Sequence, residues 1–149
     1  MMFKTHLVFS LFVAVVLFRL SLFSLRWPLF FSVFIFAALL PDIDSISSVV
    51  GRKARPFSYV FYVLRHRTIM HSLWVPLFAF FFIALFSLEL ALAFFIGYFS
   101  HLALDMLNYK GIRLFYPFFR IRGFIKAGSV AESAVFVAFF LALLLALFF

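Results

Sequence analysis

The sequence predicts an all-α protein, a polytopic membrane helical bundle of about five transmembrane helices with two interfacial loop segments. Three observations predict it. Apolar residues make up 68% of the chain and charged residues only 12%, the reverse of what a water-facing surface needs. A chain of 149 residues makes one domain, 1–149, too small to hide that much apolar surface in a soluble core. The apolar residues also fall into five runs, most of them near the roughly 20 residues a spanning helix needs, with polar and basic segments between them.

The first run covers 7–25 and is interrupted by Arg19. No small-residue cleavage site follows it, so it reads as a span and not a signal peptide. The second, 27–40, is short and stops at Pro41, which fits a tilted or re-entrant segment. Residues 41–66 form a basic connection in which 57–64 reads as an aromatic interfacial helix. The third run covers 68–88, with Pro76 near its start as a kink. The fourth follows Glu89 and continues to 108; 109–128 are again basic, aromatic and interfacial; the fifth run is 129–149.

Charge sets the orientation. The net charge of +8 would suggest nucleic acid in a soluble protein. Here the basic residues lie in short loops between apolar runs, so no nucleic acid partner is expected, and membrane lipid is. With the amino terminus cytoplasmic, Lys4, five residues between 52 and 67 and five between 110 and 126, out of thirteen Lys and Arg, share one side. Arg26 lies opposite and Arg19 within a span. This satisfies the positive-inside rule and predicts a multi-pass protein of the inner, cytoplasmic membrane.

The histidines and acids played no part in that argument, and they converge. His6 begins the first helix, Asp42 and Asp44 end the second, and His66 and His71 begin the third. His101 and Asp105 stand at i and i+4 near the end of the fourth, and Glu132 is in the first turn of the fifth. All fall at the cytoplasmic ends; only Glu89 does not. An ionisable side chain near the hydrocarbon costs a few kcal/mol, on the order of 2.5–3.5 at mid-span, unless it is paired, hydrated or metal-bound. Imidazole and carboxylate are a ligand set for Zn, Mn or Fe, and i, i+4 spacing puts two donors on one helix face. With no cysteine in the chain, nitrogen and oxygen must supply every ligand. Several carboxylates can bridge two metals, which suits phosphoester hydrolysis.

Each residue also has a plain structural reading. His6 can sit among headgroups, Asp42 and Asp44 can cap the loop after Pro41, and His66 can cap the third helix. His101 and Asp105 can form a buried hydrogen-bonded pair. Ser129-Val130-Ala131-Glu132 is a capping box, so Glu132 stands open between ligand and cap. Ser72 beside His71 lacks the glycine elbow of a serine nucleophile.

Four ordered motifs carry a resemblance: Thr5-His6; Leu39-Leu40-Pro41-Asp42-Ile43-Asp44; His66-Arg67-Thr68-Ile69-Met70-His71-Ser72; and Gly97 through Asp105, followed by Gly111 and Tyr116-Pro117-Phe118. Together they resemble the YdjM-like family of inner-membrane proteins, described as membrane-bound metal-dependent hydrolases. The pattern is more distantly similar to zinc-dependent phospholipase C and P1-type nucleases. The resemblance covers essentially the whole chain. It implies that His6, Asp42, Asp44, His66, His71, His101 and Asp105 bind metal. Thr68, Met70 and Asn108 depart from the residues the family often has there, which bears on substrate contacts more than on metal.

The expected function is a metal-dependent hydrolase with roughly one to three divalent ions, zinc foremost, cleaving a phosphoester of a lipid or lipid-linked substrate. Asp42 or Asp44 is the expected general base, and Arg67 the expected bidentate partner of a phosphate. The rival from another class is a transporter or proton-relay protein. Relays extend through the membrane, whereas the far half offers only Arg19, Arg26 and Glu89.

Overall fold

The computed structural model describes residues 2–20, 26–44 and 69–148, with the backbone alone at Asp44. His66, Arg67 and the 57–64 stretch lie outside the described residues, as does the Asp44 side chain. Five α-helices and no strand occur among the described residues: α1 Phe3–Arg19, α2 Trp27–Leu39, α3 Trp74–Ala84, α4 Leu88–Leu107 and α5 Val130–Phe148. A 3-10 turn, Leu40–Asp44, continues α2.

Local chemistry explains the boundaries. Pro28 enters α2 in its first turn, where its missing N–H and fixed φ suit a helix start. Pro41 has no N–H to continue the α-helical ladder, and the chain tightens into the 3-10 turn with Leu40 still in the αR conformation. Ser87 caps α4 by accepting from the Leu90 N–H at 3.3 Å. The third run becomes helical only at Trp74, because 69–73 are folded into turns. There the Ser72 hydroxyl donates to the Ile69 carbonyl at 2.6 Å and the Leu73 N–H to the Leu114 carbonyl at 2.8 Å.

Helix number thus matches the expectation, but span number does not. Only α4 (20 residues) and α5 (19 residues) are long and apolar enough to cross a membrane among the described residues. At 1.5 Å per residue α1, with 17 residues, reaches about 25 Å against a hydrocarbon core of about 30 Å. With 13 and 11 residues, α2 and α3 fall further short. The shortfall comes from Pro41 at the end of α2 and from the turns that take the first part of the third run.

The helices pack as α2 on α4, α1 on α5, α3 on α4 and α1 on α2. Ala14, Phe30, Phe34 and Ala93 form one buried cluster, and Ala37, Phe94, Tyr98, Leu102, Ile112 and Leu114 another. At the α2–α4 crossing a Cβ on Gly97 would lie 2.4 Å from the Phe34 carbonyl oxygen, so only glycine allows this approach. The outside is as apolar as the inside. Phe78, Phe81, Phe86, Leu141 and Leu145 are all exposed, and only 11% of the α5 span is buried against the protein. Such a helix face needs hydrocarbon around it.

After α4 the chain forms an irregular segment fastened by two isolated bridges, Asn108 with Ile125 and Ile112 with Ile121. Gly111 turns it at φ 59°, a left-handed conformation that disfavours other residues. The segment returns the chain to the start of α5, beside the start of α1.

Candidate metal centre

Four separate segments deliver donors to one place. His6 comes from the first turns of α1, Asp42 from the 3-10 turn beyond α2, His71 from the turn before α3, and His101 with Asp105 from the last turns of α4. His6, His71, His101 and Asp105 are almost fully buried, whereas the Asp42 side chain keeps 21% exposure. Among the described residues the cluster therefore reaches its surroundings through Asp42.

The separations are informative. His6 Nε2 lies 3.3 Å from Asp105 Oδ1, and His71 Nε2 lies 3.4 Å from Asp105 Oδ2. His101 Nε2 is 3.8 Å from both Asp42 Oδ1 and Asp105 Oδ2. The His6 and His71 contacts are long hydrogen bonds to Asp105, just beyond the commonest N–H···O range of about 2.7–3.2 Å, and the His101 separations are too long to be hydrogen bonds. Two ligands of one tetrahedral ion, each at about 2.0–2.1 Å, stand about 3.3 Å apart. The 3.3–3.4 Å separations match neighbours on such a shell, and the His101 separations of 3.8 Å are somewhat wider. Two trios, His6–His101–Asp105 and Asp42–His71–His101, each have their donor atoms within 4.8 Å of one another and can hold a metal ion.

The surroundings prepare the donors. His101 Nδ1 donates to the Ala38 carbonyl at 2.8 Å, at the end of α2. That bond places the ring proton on Nδ1 and leaves the Nε2 lone pair directed into the cluster, as a ligating histidine requires. His101 Nε2 and His6 Nδ1 are buried with no hydrogen-bond partner among the described residues. The His6 ring stacks on that of His101, with centroids 4.0 Å apart at 17°. The turn bearing His71 is held by the Tyr98 hydroxyl, which donates to the Met70 carbonyl at 2.5 Å. Burial pushes the Asp42 carboxyl up from the ordinary carboxylate range, while the neighbouring His6 and His71 pull it back.

Of the eight residues expected to bind metal, five come together: His6, Asp42, His71, His101 and Asp105. His66, the Asp44 side chain and Arg67, the expected phosphate partner, lie outside the described residues. Glu132 stands in neither trio. Its Oε1 accepts from the Met2 N–H and, at 3.3 Å, from the Thr5 hydroxyl, and its Oε2 accepts from the Gly128 N–H at 2.6 Å. The capping box is half formed: the Glu132 N–H donates to Ser129 Oγ at 3.3 Å, but the carboxylate turns to Gly128 and α1. Ser72 uses its hydroxyl within its own turn.

Sequence reasoning missed the polar contacts beneath the cluster. Ser10, one turn below His6, meets Ser100 at 2.8 Å, and the Ser100 hydroxyl donates to the Gly97 carbonyl at 2.7 Å. With that proton placed, Ser10 is the donor to Ser100. The available signal was positional: Ser10 is four residues from His6 and Ser100 adjoins His101.

Among known proteins, the chain is similar to an uncharacterized protein, YvsG, of Bacillus subtilis (strain 168), with 36% identity over 104 residues. That alignment covers 66% of this chain and 65% of the relative, so the chain spans slightly less than two thirds of the length of the protein it matches. No solved structure matches it. The sequence pattern described as YdjM inner membrane protein matches residues 1–149, the whole chain. The chain belongs to the YdjM inner membrane protein family.

Proposed function

We propose that this protein is a membrane-bound, metal-dependent hydrolase working at the cytoplasmic face of the inner membrane on a phosphoester of a lipid or lipid-linked substrate. The observation that carries the reading is the spacing of the buried donors, 3.3–3.8 Å between imidazole nitrogens and carboxylate oxygens drawn from four segments. A buried cluster of this composition is also expensive in a membrane protein unless something compensates it.

His6, His71, His101 and Asp105 would hold the ion or ions, with zinc the first choice for three imidazoles and a carboxylate. A bound divalent metal supplies a Lewis acid for the phosphoester and a water of lowered pKa. The chain does the rest. The Ala38 carbonyl fixes the His101 tautomer, and Asp42, at the open edge, accepts a proton as general base. On sequence grounds Asp44 and His66 join the donor set and Arg67 holds the phosphate.

The same reading has α1, α2 and α3 crossing a locally thinned bilayer beside α4 and α5. The basic residues near 52–67 and 110–126 then face the cytoplasm, with the donors at the inner leaflet. A phosphate at headgroup depth is the chemistry available there.

The test is metal content. Protein purified in detergent should carry stoichiometric divalent metal, and His101→Ala and Asp105→Ala should lose it. Hydrolysis of generic phosphodiesters and phosphomonoesters should follow the metal. Unsubstituted protein that neither carries metal nor takes it up would end the proposal and favour a proton relay or transporter.

A further inference from the structure

We propose that Glu132 is a positioning residue for the metal centre: from the start of α5 it caps the start of α1 and so sets the angle at which His6 enters the donor set. The inference rests on the metal reading above and adds a role that neither the ligand set nor the capping box contains.

The start of α1 lacks local support. Its N-cap, Met2, makes no side-chain cap bond, and its first turn has no acidic residue. The opening amides of a helix have no partner within the helix and must find one elsewhere. Here the partner is 130 residues away: Glu132 Oε1 accepts the Met2 N–H and the Thr5 hydroxyl, with Thr5 and Glu132 both fully buried. A carboxylate is suited to this place, because it forms charge-assisted hydrogen bonds and the helix dipole favours negative charge there. Its other oxygen is fixed by Gly128, which ties it to the start of α5. One buried group therefore joins the first turns of two parallel helices.

Geometry converts this cap into control of His6. Consecutive helix residues point about 100° apart, so with Thr5 turned to α5, His6 faces α4 and stacks on His101. An imidazole nitrogen lies roughly 6 Å from the helix axis, so a rotation of about 10° moves it about 1 Å. A ligating constellation tolerates about 0.5 Å. The Thr5–Glu132 contact is next in sequence to the ligand and acts directly on that rotation. Further along, Phe9 and Phe12 against Phe139 hold the helices side by side, while Arg19 donates to the Leu147 carbonyl at 2.7 Å at the far end.

The experiment is a double-mutant cycle on the full chain in detergent, with metal affinity read by chelator competition and cobalt(II) absorption reporting the ligand set. Unsubstituted protein is measured first; if it binds no metal, the metal reading falls and this inference falls with it. Given metal binding, Glu132→Ala should weaken affinity about 10-fold or more, as loss of an outer-shell partner does, with unchanged helicity. Glu132→Gln, which keeps one acceptor oxygen, should fall in between. Thr5→Val should cause a smaller loss. In a His6→Ala background none of these should have more than about a 2-fold further effect, because the coupling runs through His6. The inference is overturned if Glu132→Ala leaves affinity and the cobalt spectrum unchanged. It is equally overturned if the loss persists in the His6→Ala background, which would make Glu132 a ligand or a general support of the fold. Should Glu132→Ala fail to fold, Glu132→Gln and Thr5→Val carry the same comparison.

Discussion

Asp105 has imidazoles on both carboxylate oxygens, His6 on Oδ1, and His71 and His101 on Oδ2. Asp105→Asn keeps the shape but replaces an anionic oxygen with an amide nitrogen that repels a cation. Metal affinity should fall by more than the roughly 10–100-fold typical of an outer-shell partner, measured by chelator competition. Asp42 sits at the exposed edge, so Asp42→Asn should spare part of the affinity while lowering turnover by about 100-fold or more, the usual worth of a general base. Equal losses of affinity in the two variants would place both residues in the same role. Below them, Ser10→Ala and Ser100→Ala should each cost about 0.6 kcal/mol in detergent unfolding, the average for a hydrogen bond between membrane helices. The double variant should cost little more than Ser100→Ala alone, because that substitution already removes the bond shared with Ser10.

At the scale of the helix, Gly97 decides how closely α2 and α4 approach. Gly97→Leu adds atoms where even a Cβ lies 2.4 Å from the Phe34 carbonyl oxygen. Unfolding experiments should show a loss of about 1–3 kcal/mol or more, and metal retention should drop as Ala38 pulls away from His101. The helices themselves were legible to within a residue or two at α2, α4 and α5, where Pro41, Glu89 and Ser129 punctuate the apolar runs. At α3 the apolar run overstated the helix, because the 69–73 turns are held by a carbonyl from the distant Leu114, and no local pattern encodes that. The same division holds in the site. His6, Asp42, His71, His101 and Asp105 were legible because an ionisable group at a membrane helix end calls for compensation. The use of Glu132 was not, because Ser129 offered a sufficient local explanation while its other partners, Met2 and Thr5, lie far away in sequence.

Among the described residues much of the helical exterior is apolar, and the histidines lie at one end of the bundle, with Arg19, Arg26 and Glu89 toward the other. Leu141 lies near the middle of α5 and is exposed, so Leu141→Arg should penalise insertion by about 2.5–3.5 kcal/mol, read as a lower membrane-integrated fraction. The natural absence of cysteine makes topology directly measurable. Single substitutions Lys110→Cys and Glu89→Cys, beyond and at the two ends of the α4 span, should react with impermeant thiol reagents from opposite sides of the bilayer, Lys110→Cys from the cytoplasm. Labelling of both from one side would remove α4 as a crossing helix, and labelling in the reverse sense would invert the orientation.

The pairing of α1 with α5 bears on biogenesis. A ribosome makes the His6 segment first and the Glu132 segment well over a hundred residues later, and the contact between them closes a loop around nearly the whole chain. Nascent protein inserted as far as α4 therefore already displays three imidazoles and Asp105 without the helix that seats the earliest of them. If the centre holds metal as proposed, its donor set would be completed only after α5 has been made and has packed against α1.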